Sequence, residues 1–105
     1  MVAQPLQGEI WWAETEDKRR PVLVCTRNEI IHALTTIVVA PVTRTVRDIP
    51  TEVPLGTEEG LPSDCAANFD NLQAIRRSSL TERLGALGLQ RQHELCGALR
   101  AMSNC

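Results

Sequence analysis

At 105 residues the chain is read as a single domain, 1–105, long enough to bury roughly 60–70% of its unfolded surface and to need no staple. A formal net charge of -2 excludes a protein that coats nucleic acid by bulk attraction, and no apolar run approaches the ~20 residues of a membrane span. Four cysteines without a C-x-x-C, and two histidines far apart, signal neither a zinc site nor a redox pair; reduced thiols, no metal and no cofactor are expected.

The N-terminal "MVAQPLQGEI" lacks the basic and apolar blocks of a signal peptide, so the cytoplasm is the expected compartment. "GEIWWA" (8–13) reads as a first strand, and "ETEDKRR" as a loop. "PVLVC" (21–25) is a continuous apolar run with the β-branching of a strand buried on both faces, and its first position, proline, is where a strand tolerates a missing N–H. "TRNEIIHALT" has helical spacing but is short, and "TIVVAPV" (36–42) is the clearest strand in the chain. "TRTVRDIP" is a polar connection, "TEVPL" a short strand and "GTEEGLP" a turn-rich interruption. "DCAANFDNLQAIRR" (64–77) fits one bent strand, and "RLGAL" a last short one. From about 89 to 102, Leu95, Leu99 and Met102 recur at helical spacing with Cys96 beside them, predicting an amphipathic C-terminal helix. The pattern is a mainly antiparallel β domain closed by one helix.

Ten of the eleven basic residues are arginine, and they are grouped: Lys18 with Arg19 and Arg20, Arg44 with Arg47, and Arg76 with Arg77. The guanidinium fork matches phosphate geometry in a way an ammonium does not. Antiparallel pairing of the two best strands, with Pro21 near Val42 and Val24 near Val39, sets Arg20 against Thr43, with Arg44 and Thr45 adjacent. Cations and hydroxyls at the mouth of a sheet suit an anion, a phosphodiester above all.

The blocks "GEIWWA", "RPVLV", "VVAPVTRTVRDIPTEVPL", "GLPSDCAANFDNLQAI" and "ERLGAL" plus a helix, in that order from Gly8 to about Met102, resemble the MazF/PemK family of toxin endoribonucleases. The resemblance implies a small SH3-like barrel of antiparallel strands (CcdB/MazF-type) with a C-terminal α-helix, a homodimer shaping a groove for single-stranded RNA, and a MazE-like antitoxin as partner. It further implies metal-free cleavage by the ribose 2′-hydroxyl, leaving a 2′,3′-cyclic phosphate and a 5′-hydroxyl. The family's catalytic arginine, in its "RP" motif, falls on Arg20, and its catalytic threonine or serine on Thr43. Arg19, Arg44, Thr45 and Arg47 are then candidate ligands of flanking phosphates, and Asn71, in "DN" where relatives carry "DQ" or "EQ", a candidate reader of a base edge. The short acidic segment "AETEDKRR" replaces a longer Gly-containing loop that contributes to base recognition, so no relative's cleavage sequence carries over.

Other residues have plainer readings. Trp11 and Trp12 cannot both face inwards on one strand. His32 and His93 read as surface or packing residues, and the cysteines, including Cys105, as small apolar fillers or incidental thiols. Arg76 and Arg77 either extend the groove or end a strand in water. The rival function is a non-catalytic module of the same SH3-like fold that acts by binding protein, either as an antitoxin-binding regulator or as a gyrase poison like CcdB, which acts through a C-terminal Trp-Gly-Ile. This sequence ends "AMSNC".

Overall fold

The structure, a computed structural model, describes residues 4–104; Cys105 lies outside them. Seven strands are arranged as β1 (Glu9–Glu14), β2 (Arg19–Val24), β3 (Thr36–Thr43), β4 (Glu52–Leu55), β5 (Cys65–Asn68), β6 (Gln73–Arg76) and β7 (Leu80–Ala86). Between β2 and β3 lies one helical turn, α1 (Asn28–Ile31), and the chain closes with α2 (Gln92–Ser103). All pairings are antiparallel, in the order β4-β5-β3-β2-β1-β7, with β6 also on β3. This is the curled antiparallel sheet with a C-terminal helix that the sequence predicts.

The continuous apolar run of β2 is explained by burial on both faces. Leu23 joins Ile10, Ala40, Phe69, Leu95 and Ala98 in the core under α2. Its neighbours Val22 and Val24 point the other way, into a second cluster with Ala13, Ile31, Ile37, Val39 and Leu80. Strict alternation of side chains across the strand produces both clusters from one six-residue segment.

Three local expectations need correction. Strand β2 begins at Arg19, so the two arginines are strand residues and not loop. The segment 64–77 is two strands and not one bent one, because Val42 pairs with Ala67 while Val39 pairs with Gln73. Three steps along β3 thus correspond to six along the facing chain, and a 3-10 turn at Phe69–Asn71 takes up the excess. On α2 the inward positions are Leu95 and Ala98, with Leu99 packed against them; Met102 and Cys96 face solvent.

A tight approach joins β7 to the turn after β4. Gly60 has φ +91°, which favours glycine, and a Cβ on Gly85 would fall on the Glu59 carbonyl. The two glycines let these backbones meet with no side chain between them.

Candidate functional site

The ladder between β2 and β3 pairs Val22 with Pro41, Leu23 with Ala40 and Val24 with Val39. This is the register expected from the sequence. Arg20 and Thr43 each stand two residues past its last pair, at the same end, where β2 and β3 stop pairing with each other. Arg20 pairs instead with Ala13 of β1, and Thr43 with Ala66 of β5.

Arg20 is half-buried and its guanidinium has no hydrogen-bond or ion-pair partner among the described residues. It lines a concavity of about 210 Å³ floored by Ala13, Val22 and Ile75, with Asp17, Lys18 and Gln73 at the rim. The Lys18 carbonyl accepts the Thr15 N–H at 2.9 Å, which closes the tight turn carrying Asp17 and Lys18. Thr43 lines a different concavity, about 160 Å³, with Trp12, Pro21, Arg44 and Leu61. Because Ala13 and Val22 alternate with Trp12 and Pro21, the two hollows open on opposite faces of the β1–β2 ladder. Arg20 lines one hollow and Thr43 and Arg44 the other, and Arg20 and Thr43 stand at the same end of the β2–β3 ladder.

Thr43 is prepared as a donor. Its Oγ1 accepts the backbone N–H of Thr45 at 3.1 Å, which occupies an acceptor site and leaves the hydroxyl proton free to point outward. Arg44 and Thr45 are exposed, and the Arg44 guanidinium is unpaired among the described residues.

The remaining expected ligands are engaged or remote. Arg19 stacks over Trp12, 4.2 Å from guanidinium carbon to ring centroid, and reaches Glu82 at 3.4 Å. Trp11 meanwhile packs on the second cluster, so the two tryptophans divide between the faces as strand alternation requires. Arg47 is tied to Glu52, whose Oε1 accepts the N–H groups of Arg47 (2.8 Å) and Asp48 (3.2 Å). Glu52 Oε2 lies 3.6 Å from the Arg47 guanidinium, too far for a hydrogen bond, so that oxygen is held by charge attraction alone. Asn71 is exposed in the 3-10 turn and lines neither concavity. Arg76 and Arg77 do not extend the Arg20 hollow. They sit with Thr36 at the far end of β3, where Arg77 donates to the Ile31 carbonyl at 2.8 Å.

A larger concavity, about 460 Å³, lies elsewhere and has the wrong sign for a phosphodiester. Glu58, Glu59 and Asp64 line it, and Arg91 within it is neutralised by Glu59 and Glu94. The hydrogen bonds that Arg91 donates to the Glu94 carboxylate raise the Arg91 pKa and lower that of Glu94. Burial pushes the Cys25 thiol up to about 12 and raises Cys65 as well, which makes both poor nucleophiles. Among the described residues no group of histidine, cysteine and carboxylate side chains is arranged to hold a metal.

An SH3-like sheet with an uncompensated arginine and a donor threonine at one strand end has clear relatives. The family model of the PemK-like, MazF-like toxin of type II toxin-antitoxin systems matches residues 6–103, and the chain belongs to that family. A sequence named probable endoribonuclease MazF2 from Mycobacterium tuberculosis is 40% identical over 100 residues, covering 94% of this chain and 98% of the relative. The solved structure of Mycobacterium tuberculosis toxin MazF-mt6 superposes with a TM-score of 0.85 at 35% identity, over 91% of this chain and 96% of that one. A mycobacterial endoribonuclease solved with its cognate antitoxin superposes at 0.82 over 95% of each chain; at 24% identity it speaks to the fold alone. No helix among the described residues is long and apolar enough to cross a membrane.

Proposed function

We propose that this toxin is a metal-independent endoribonuclease that cuts single-stranded RNA and so halts translation and growth. The observation that carries the reading is Arg20, a half-buried and unpaired cation level with Thr43, in a chain 40% identical to a probable endoribonuclease. In the reaction the ribose 2′-oxygen bonds to the adjacent phosphorus as the bond to the 5′-oxygen breaks. The 2′-hydroxyl gives up its proton and the departing 5′-oxygen gains one, leaving a 2′,3′-cyclic phosphate and a 5′-hydroxyl. Negative charge builds on the non-bridging oxygens meanwhile, and fixed donors aimed at it contribute about 3–4 kcal/mol each. Arg20 supplies a guanidinium fork and Thr43 a hydroxyl. Arg20 acts here as a fixed positive charge.

Arg44 and Thr45, exposed beside Thr43, contact flanking phosphates. Arg19 and Arg47 join them when Glu82 and Glu52 release their side chains, and Asn71 meets RNA only at the margin of the groove. The working form is a homodimer in the cytoplasm. Its partner is a MazE-like antitoxin whose acidic, apolar tail competes with RNA for the same cations. The test is incubation of an RNA pool in EDTA beside the same pool made with 2′-deoxy residues. Cutting of the first alone is expected. An intact ribose pool together with arrest of gyrase defeats the reading in favour of a protein-binding toxin.

A further inference from the structure

We propose that Gln73 selects a nucleobase next to the cleaved bond, taken into the hollow that Arg20 borders; this rests on the endoribonuclease reading above. The hollow has an apolar floor, Ala13, Val22 and Ile75, and a volume of about 210 Å³, suited to one base laid on that floor. Single-stranded RNA is recognised by splaying bases out onto such surfaces and reading their Watson–Crick edges.

The backbone at Gln73 is fixed by its strand neighbours, and its side chain is exposed. Gln73 pairs with Val39 while Ile75 pairs with Ile37, and alternation puts Gln73 and Ile75 on one face of β6. The Ile75 side chain packs on the second cluster, so the backbone that carries Gln73 is anchored from below. The amide itself has no partner among the described residues. It therefore presents one donor group and one acceptor, side by side, across the floor from the Arg20 guanidinium. That is the pattern needed to match two adjacent groups on a base edge. Asp17 and Lys18, on the opposing turn, add an acceptor and a donor at the rim. The β1–β2 turn is closed tightly by the Thr15 N–H on the Lys18 carbonyl, so β6 supplies the facing side of the hollow.

The experiment is to cut a random-sequence RNA pool with the wild type, Gln73→Ala and Gln73→Glu, and to sequence the 5′ ends of the fragments. Thermal melting of each protein checks the fold. Gln73→Ala is expected to lower the preference at one position beside the cut by about tenfold to a hundredfold, the range of a good two-point base contact. Gln73→Glu, which exchanges the donor for an acceptor, is expected to shift that position towards a different base. An unaltered base preference in both variants overturns the proposal, as does a loss spread evenly over all positions. A wild type that leaves the pool intact instead defeats the endoribonuclease reading, and this proposal falls with it.

Discussion

Glu52 holds Arg47 twice, through the backbone N–H at 2.8 Å and through the guanidinium at 3.6 Å. The carboxylate is 2% exposed and also takes the N–H of Asp48, a residue at φ +55°. One buried side chain thus shapes the loop at 44–50 that follows Thr43. Glu52→Ala strands two N–H groups and an arginine, and is expected to destabilise the protein by about 1–3 kcal/mol. Glu52→Gln keeps the Oε1 acceptor and is expected to recover most of that loss. Urea unfolding of the two variants decides the point, and equal losses would argue that charge, not the backbone cap, matters.

Arg20→Ala and Thr43→Ala are each expected to slow single-turnover cleavage of RNA by about 10²–10³-fold, the usual cost of one preorganised donor. Thr43→Ser keeps the hydroxyl and should retain most activity, whereas Arg20→Lys loses the fork and should not. Fluorescence binding of an uncleavable 2′-deoxy oligonucleotide is expected to change far less than the rate. A rate that survives either alanine would remove that residue from the reacting phosphate.

Gly85→Ala places a methyl on the Glu59 carbonyl, a backbone atom that no rotamer change can move aside. Gly60 opposite it also borders the Thr43 hollow. Destabilisation of about 1–3 kcal/mol is expected, read as a lowered melting temperature. A variant that melts with the wild type would mean that the β7 contact yields easily.

Two carboxylates tie stability to pH. The Glu94 pKa is lowered, chiefly by hydrogen bonding from Arg91. That of Glu9 is also lowered: burial acts to raise it, but bonds from Arg83 and Trp11 outweigh burial. A folded pKa below the unfolded one contributes stability that is complete above the unfolded value, about 4.3 for glutamate, and is lost as pH falls through the folded one. Urea midpoints are therefore expected to drop between about pH 5 and about pH 3, and less steeply in Arg91→Ala. A profile that Arg91→Ala leaves unchanged would assign the acid sensitivity to other groups.

The strand register was legible because two apolar runs and two prolines leave little choice: one slip would turn Val22 and Val24 out of their cluster. Arg20 and Thr43 followed from that register. The break at residues 69–72 was not legible, since "CAANFDNLQAI" mixes apolar and polar residues without a clear turn signal and only the two pairings along β3 reveal the excess. Nor were the captures of Arg19 by Glu82 and Arg47 by Glu52, because ion-pair partners are settled by tertiary placement. Gln73 carries no signal of its own in the sequence for a related reason. Its neighbour Asn71 stands in the family motif, and only the β6 pairing shows which of the two side chains borders Arg20.

Thr43 owes its place to Ala66, more than twenty residues further along, while Arg20 is braced by β1 behind it. A ribosome that has released only the first half of the chain has therefore made both of these side chains but not the framework that fixes Thr43. On the reading proposed above, the pair of Arg20 and Thr43 is fully framed only once β5 has emerged, late in synthesis.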